Sequence, residues 1–284
     1  MLLVAVAAGL LIGLALGALG GGGSILAVPV LVYLLGQSPT QATTGSLVVV
    51  GLTSVVGAVA ARRAGHVRLG RGVAFGLVAT GGAVVGAVAA AAVPAEVLMA
   101  LFALLMLLVG ALMVRRLRRH RESGQGPRPG LDDPIVGWSR GDGRFGAFRC
   151  DCPRAAKLLV TATVVGLLTG FLGVGGGFVV VPALLLAFDL PMPDAVGTSL
   201  VVITVTSAVA LAVRAGSGTV PDWTPVLVLT VVAAAGAVLG ARVGHRADAV
   251  RLQAAFAVLT LVVAMYTAVR AVPDLLAAVP TWVA

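Results

Sequence analysis

The chain contains two copies of one segment. Residues 17–47 read GALGGGGSILAVPVLVYLLGQSPTQATTGSL, and residues 170–200 read GFLGVGGGFVVVPALLLAFDLPMPDAVGTSL, at a constant offset of 153. Residues of the first copy that meet an identical residue in the second include Gly17, Leu19, Gly20, Gly22, Gly23, Pro29, Leu31, Ala42, Ser46 and Leu47. Both copies lie in strongly apolar sequence, so we predict two related membrane halves with matching glycine-interrupted segments near the functional centre.

The composition predicts an all-α polytopic membrane protein. Hydrophobic residues make up 59% of the chain and charged residues only 11%, whereas a soluble domain carries about 25% charged residues. No charged side chain occurs from Met1 to Ala61. Several charge-free stretches reach the roughly 20 residues that a helix needs to cross a bilayer. They run 72–95, 97–114, 158–188, 195–213, 223–241 and 252–269.

Each half is predicted to be a glycine-broken helical hairpin followed by three transmembrane helices. In the first half, GGGG separates two arms, and the predicted helices are 1–19, 25–36, 41–61, 72–92 and 95–117. In the second half, GVGGG has the same place, and the helices are 156–172, 178–188, 195–213, 224–241 and 250–271. The predicted organisation is a first membrane repeat over 1–117, a cytoplasmic linker over 118–155 and a second repeat over 156–284.

The placement of arginines predicts that the two halves have opposite orientations. The net charge of +9 comes from arginines that flank apolar segments, where they set topology and contact lipid headgroups rather than nucleic acid. The positive-inside rule places the loop after 41–61, the linker and the loop before 250–271 in the cytoplasm. Three crossings then separate the two broken segments, which are predicted to enter and return to one face. In the alternative, the first arm of each segment crosses the membrane fully and the second arm is re-entrant. We therefore predict an inverted repeat in the plasma membrane.

The two glycine breaks are the leading candidates for substrate binding. Irregular backbone at membrane depth is tolerated only when it is buried in protein or lines a polar cavity, and the start of the following helix attracts an anion. The alternative interpretation is a tight turn or close helix packing. We assign Gly9, Gly13, Gly17, Gly166 and Gly170 to packing because of their four-residue spacing,. The break candidates are Gly20, Gly21, Gly22, Gly23, Ser24, Gly173, Gly175, Gly176 and Gly177.

A second polar motif opens the long apolar helix after each break. Its hydroxyls either cap the helix and bond back to backbone carbonyls, or they face the glycine breaks across the repeat axis. Both interpretations remain open. The candidate residues are Thr44, Gly45 and Ser46 in the first half and Gly197, Thr198 and Ser199 in the second.

The duplicated G-x-x-G-x-G-G-G/S…P block, followed about fifteen residues later by A-x-x-G/T-S-L, resembles the sulfite exporter TauE/SafE family, also called the toluene sulfonate uptake permease family. The resemblance covers the whole chain except the linker. It implies a permease of the plasma membrane that moves a small sulfur-containing anion such as sulfite or an organosulfonate. The copies differ at Ser24 against Gly177, and at Thr44-Gly45 against Gly197-Thr198.

Other function classes lack their characteristic residues in this sequence. No phosphate-binding G-x-x-x-x-G-K-[ST] loop is present, and no intramembrane His, Cys or carboxylate offers a metal site or a catalytic pair, so we expect no cofactor and no enzyme activity. Glu96, Asp189 and Asp194 lie at segment ends and are expected to be solvated loop residues or helix caps. Cys150 and Cys152 in the linker are more compatible with a flexible connection than with a metal site. An anion channel, or a permease for a non-sulfur organic anion, is the alternative function.

Overall fold

The computed structural model describes residues 2–37, 39–90, 92–93, 95–123, 152–172, 177–188, 190–214 and 222–278. Over these residues the chain is helical and contains no strand, which confirms the all-α prediction. Six helices (α3, α4, α5, α8, α9 and α10) are long and apolar enough to cross a membrane. The described helices are α1 (Leu2–Leu19), α2 (Gly22–Pro29), α3 (Pro39–Arg63), α4 (Leu69–Ala90), α5 (Ala95–Ser123), α6 (Cys152–Leu172), α7 (Gly177–Phe188), α8 (Met192–Arg214), α9 (Trp223–Arg246) and α10 (Ala249–Ala278).

The helices on either side of the predicted linker are longer than expected. Helix α5 continues to Ser123 and α6 begins at Cys152, so both extend into the segment 118–155. The arginine-rich end of α5 has neither glycine nor proline before residue 124. Charged Arg and Glu are good helix formers, so a change from apolar to charged sequence does not end the helix. Residues 124–151, with Cys150, lie outside the described residues.

Two pairs of helices from opposite halves pack through glycines. A Cβ built on Gly13 or Gly17 of α1 would overlap the backbone of Ala233 or Ala237 on α9. In the same way, Gly166 and Gly170 of α6 lie against the backbones of Ala79 and Ala83 on α4. The contacts advance in the same direction on both helices, so each pair is parallel. The prediction that these glycines serve packing is confirmed. The facing helices also carry glycines that lie against the backbones of α1 and α6 and that were not predicted, and these are Gly236, Gly240 and Gly244 on α9 and Gly82 and Gly86 on α4.

Helices α3 and α8, which are equivalent in the repeat, cross each other at the centre of the fold. They are the most buried of the six long helices, with 56% and 50% of their apolar segments buried against 28% for α4. Gly51 of α3 faces Ser207 of α8, and Gly57 faces Leu200. The residue numbers at the contacts therefore rise along α3 and fall along α8. Helices α3 and α8 are antiparallel, and their crossing lies between these two contacts.

The hydrophobic core draws on both halves. In one cluster, Phe102 of α5 meets Phe178 of α7 edge to face, with ring centroids 5.5 Å apart. Phe256 of α10 belongs to the same buried cluster. Large apolar side chains on the outer faces of the long helices are exposed instead, for example Val88 at 72% and Val231 at 69%. Such a surface is stable in lipid rather than in water, and the two halves form a single membrane-embedded fold.

Candidate functional site

The first glycine break is shorter than the sequence predicted. Helix α1 ends at Leu19, where Gly20 N–H donates to the Leu16 carbonyl at 2.9 Å, and α2 begins at Gly22 rather than after Ser24. Only Gly20 and Gly21 lie outside helices, and Gly20 has a φ of +72° that favours glycine,. Gly23 lies within α2, and its lack of a side chain lets α2 pack directly on Ile12 and Leu16 of α1.

The first break meets Gly177, the last of the candidate residues in the second break. A Cβ on Gly21 would overlap the carbonyl oxygen of Gly177, the first residue of α7. The Ser24 hydroxyl donates to the Gly21 carbonyl at 2.7 Å. The same hydroxyl lies 2.7 Å from the position that a Cβ on Gly177 would occupy. The first break therefore touches the start of the second arm in the other half. Gly173, Gly175 and Gly176 lie outside the described residues.

Ser199 of α8 lies directly on the first break. Its Oγ is 2.5 Å from the Cβ position of Gly20, and the hydroxyl donates to the Val196 carbonyl at 2.8 Å. The equivalent Ser46 donates to the Thr43 carbonyl at 2.9 Å. Both side chains are buried. Both hydroxyls thus bond to a backbone carbonyl of their own helix, as the capping interpretation predicts. Ser199 Oγ also lies against the first break.

The remaining motif residues connect helix ends to their neighbours. Thr198 Oγ1 accepts a hydrogen bond from the Arg68 backbone N–H at 3.3 Å, and a Cβ on Gly197 would overlap the His66 carbonyl. In the first half, Gly45 lies beside the side chain of Val226 on α9, and Thr44 is buried. Gly197 and Thr198 therefore hold the loop between α3 and α4 against the start of α8, close to Ser199.

Asp194 lies in the first turn of α8 but is less solvated than a loop residue would be. Its side chain is only 14% exposed, and it pairs with His66 Nδ1 at 3.1 Å and with the Arg68 guanidinium at 3.5 Å. The reason is that the loop between α3 and α4 folds over the first turn of α8. The equivalent position in the first half is Gln41, which has no carboxylate. This ion-paired cluster therefore exists at only one of the two equivalent positions. The side chain of Glu96, and Asp189, lie outside the described residues.

The sequence profile described as "Sulfite exporter TauE/SafE" matches residues 5–267 of this chain. The chain belongs to the TauE/SafE family. A "Probable membrane transporter protein" of Xylella fastidiosa strain 9a5c is 32% identical over 279 residues, which cover 97% of this chain and 98% of the relative. Its counterpart in strain Temecula1 is 33% identical over the same share of both chains. No solved structure matches. This TauE/SafE chain is a membrane transporter.

The second arms of this TauE/SafE transporter differ in form but end alike. After Pro29 the arm continues as a π-helical segment, Val30–Leu34, whereas α7 remains α-helical through Pro182. The same closing bond ends both arms, from Gln37 N–H to the Leu31 carbonyl at 3.0 Å and from Leu190 N–H to the Leu184 carbonyl at 3.5 Å. Arg116 of α5 donates to the Leu185 carbonyl, which puts a cation at the C-terminus of α7,.

The described side chains around the contact of the first break with Gly177 include polar groups but no charged ones. Among the described residues, the side chains nearest Gly20 and Gly177 are Ser199, Ser24 and Ile203. Because the Ser24 and Ser199 hydroxyls already donate to the Gly21 and Val196 carbonyls, an anion held there would have backbone N–H groups as its donors. Such a site binds by hydrogen bonds and helix-end dipoles rather than by a fixed positive charge, and this permits release as well as binding.

Proposed function

We propose that the chain is a secondary transporter with two inverted repeats, which carries a small sulfur-containing anion such as sulfite or an organosulfonate across the plasma membrane. The observation that carries this proposal is the meeting of Gly20 and Gly21 with Gly177 and Ser199. Two halves of one transporter contribute equivalent segments to a single buried point, as expected of a substrate site between repeats. The family's description supports the sulfur-anion class.

The antiparallel crossing of α3 and α8 supports the inverted arrangement. These helices are equivalent in the repeat, and Gly51 faces Ser207 while Gly57 faces Leu200. A two-fold axis that exchanges antiparallel transmembrane helices runs perpendicular to them, in the plane of the membrane. If the two halves had the same orientation in the membrane, the equivalent helices α3 and α8 would be parallel. Arginines at the C-terminal ends of α3, α5 and α9 favour a cytoplasmic location for those ends and for the linker,.

The depth of the first break fits a site exposed to each membrane face in turn. Ser199, which touches Gly20, lies well inside α8, a helix that begins at Met192. The distance from Met192 to Ser199 corresponds to about 10 Å along the axis of α8. The break therefore lies inside the span rather than at its surface. Rocking of one half against the other about the α3–α8 crossing would open the site first to one side and then to the other.

An uncharged site is consistent with uncoupled export. A cell interior at negative potential expels an anion with about 2.3 kcal/mol per charge per 100 mV. A binding site without a titratable group needs no proton to release its substrate. We therefore propose that transport follows the electrochemical gradient of the anion.

Counterflow in proteoliposomes tests the proposal. Vesicles with purified protein are loaded with unlabelled sulfite and diluted into labelled sulfite, with sulfoacetate, taurine or acetate as competitors. We expect transient, saturable accumulation that sulfoacetate and taurine reduce and acetate does not. Conductance without counterflow would support an anion channel instead. Counterflow reduced equally by acetate would support a permease for organic anions in general.

A further inference from the structure

Three buried hydroxyls at the centre of the fold lack hydrogen-bond partners among the described residues. Thr53, Ser54 and Ser207 have exposed fractions of 0%, 0% and 1%, and they supply three of the five unpaired buried side-chain atoms there. A hydroxyl in a helix can donate to the carbonyl of the preceding turn. Thr230 and Thr260 do so at 2.7 and 2.8 Å. The three central hydroxyls do not use this bond.

Ser54 and Ser207 are equivalent residues of the two repeats, at the offset of 153. Ser207 lies opposite Gly51, with its Cβ 3.1 Å from the position of a Cβ on that glycine. Ser54 lies three residues from Gly51 and three from Gly57, and therefore on the stripe of α3 that faces α8. The two hydroxyls thus lie on facing stripes at the crossing, on either side of the repeat axis.

Burying a hydroxyl without a partner is unfavourable, so its presence at two equivalent positions needs a reason. Alanine would pack at the same place without that cost. Gly51 lets α3 approach α8 closely here, since a Cβ on it would lie 3.1 Å from the Ser207 Cβ. The arrangement is expected where the missing partner is a group that enters and leaves.

We propose that Ser54 and Ser207 form a central station that donates two O–H groups to the oxygens of the transported anion, midway between the two membrane faces. This inference rests on the proposed function and adds a second binding point beyond the glycine breaks. A hard cation fits less well because it needs about six oxygen ligands. Helices α3 and α8 are unbroken here, so their carbonyls are used within the helices. Hydroxyl donors suit an oxyanion.

Charge-selective labelling of cysteines tests the station directly. The chain's two cysteines are first replaced by serine (C150S, C152S), and S54C and S207C are then introduced separately. Proteoliposomes are treated with a thiosulfonate reagent bearing a sulfonate, or with its trimethylammonium analogue. Rates are divided by those at T224C, because Thr224 is exposed at the start of α9. The matched control is T260C, which replaces a buried hydroxyl bonded within α10.

We expect S54C and S207C to react at least tenfold faster with the sulfonate reagent than with the cationic one, and sulfoacetate to slow the reaction. T260C should react with neither. Absence of labelling at both sites, or labelling independent of reagent charge, overturns the proposal. This result does not depend on sulfite transport. Wild-type protein without sulfite counterflow would refute the proposed substrate, while the labelling pattern would still decide whether anions reach the crossing.

Alanine variants provide the functional test. S54A, S207A and the double variant remove hydroxyls that have no partner among the described residues, so their thermal midpoints should equal or exceed the wild-type value. We expect a loss of at least tenfold in kcat/KM for counterflow in the double variant. T260V, which removes a bonded hydroxyl elsewhere, should transport normally. Normal counterflow kinetics in the double alanine variant would contradict the proposal that Ser54 and Ser207 bind the transported anion.

Discussion

The hydroxyl of Ser24 occupies the space that a side chain on Gly177 would need. These residues are equivalent in the repeat, and a Cβ on Gly177 would lie 2.7 Å from Ser24 Oγ. The two equivalent positions therefore lie in contact, and the side chain of Ser24 leaves too little room for one on Gly177. This explains why the two copies of the glycine segment differ here, a difference for which the sequence offered no reason.

Exchanging the two residues tests this relationship. G177S should lower the thermal midpoint by several degrees and reduce transport, because its side chain collides with Ser24 Oγ and the tip of Ile203,. The double variant S24G/G177S removes the first collision and should recover most of the lost stability. Thermal unfolding monitored by size-exclusion chromatography measures both. A double variant no more stable than G177S would contradict the explanation.

The glycine contacts between α1 and α9 and between α4 and α6 predict that the stability of the protein depends strongly on side-chain size at these positions. A Cβ on Gly170 would overlap the backbone of Ala83, and backbone cannot move aside as a flexible side chain can. We expect G170A to destabilise the protein by about 1–3 kcal/mol. The control is G81A on α4, where a Cβ would meet nothing within 4 Å. Equal thermal midpoints for the two variants would show that the contact between α6 and α4 tolerates a methyl group.

The two motif serines are predicted to contribute to transport beyond their local bonds. Ser46 and Ser199 each donate to the carbonyl three residues earlier, and Ser199 Oγ also lies on Gly20. S46A and S199A should each lower kcat/KM for counterflow at least tenfold while changing the thermal midpoint little. T230V removes a comparable bonded hydroxyl from α9 and should not affect transport. Similar transport in all three variants would leave these serines with only their backbone bonds.

The ion-paired cluster at the start of α8 predicts a modest structural role for Asp194. D194N removes the charge that holds His66 and Arg68, and should cost about 0.5–1 kcal/mol, because the pair is only partly buried,. D248N is the matched control, since the Asp248–Arg251 pair is 3.9 Å long and largely exposed. We expect the thermal midpoint of D194N, but not of D248N, to fall below wild type at low salt. Equal midpoints would mean that the cluster adds no stability.

The proposed inverted topology predicts on which side of the membrane each helix end lies. In the C150S, C152S background, A64C at the end of α3 should react with an impermeant thiol reagent only after the cells are opened. T224C at the start of α9 should react in intact cells. Both positions are exposed, so burial does not explain a difference between them. Labelling of both from the same side would contradict the arrangement.

The hydrophobic pattern alone was enough to predict the class of fold. Long charge-free runs such as 195–213 determine a membrane helix by themselves, because the bilayer requires each segment to satisfy its own backbone bonds. The spacing of Gly13 and Gly17 likewise predicted helix packing, since residues four apart share one helix face. The extent of the glycine break was less predictable. Gly22 and Gly23 lie within α2, which packs closely on α1 at Gly23, a contact that local propensity does not report.

Local pattern and repetition in the amino-acid sequence thus determine an all-helical membrane fold in two halves, with a break in each. The identity of the groups that meet is decided only in the folded molecule. The contact of Gly21 with Gly177, the position of Ser199 on Gly20 and the pairing of His66 with Asp194 each join residues more than 120 positions apart. Such contacts depend on the packing of entire helices, and no periodicity within either half encodes them.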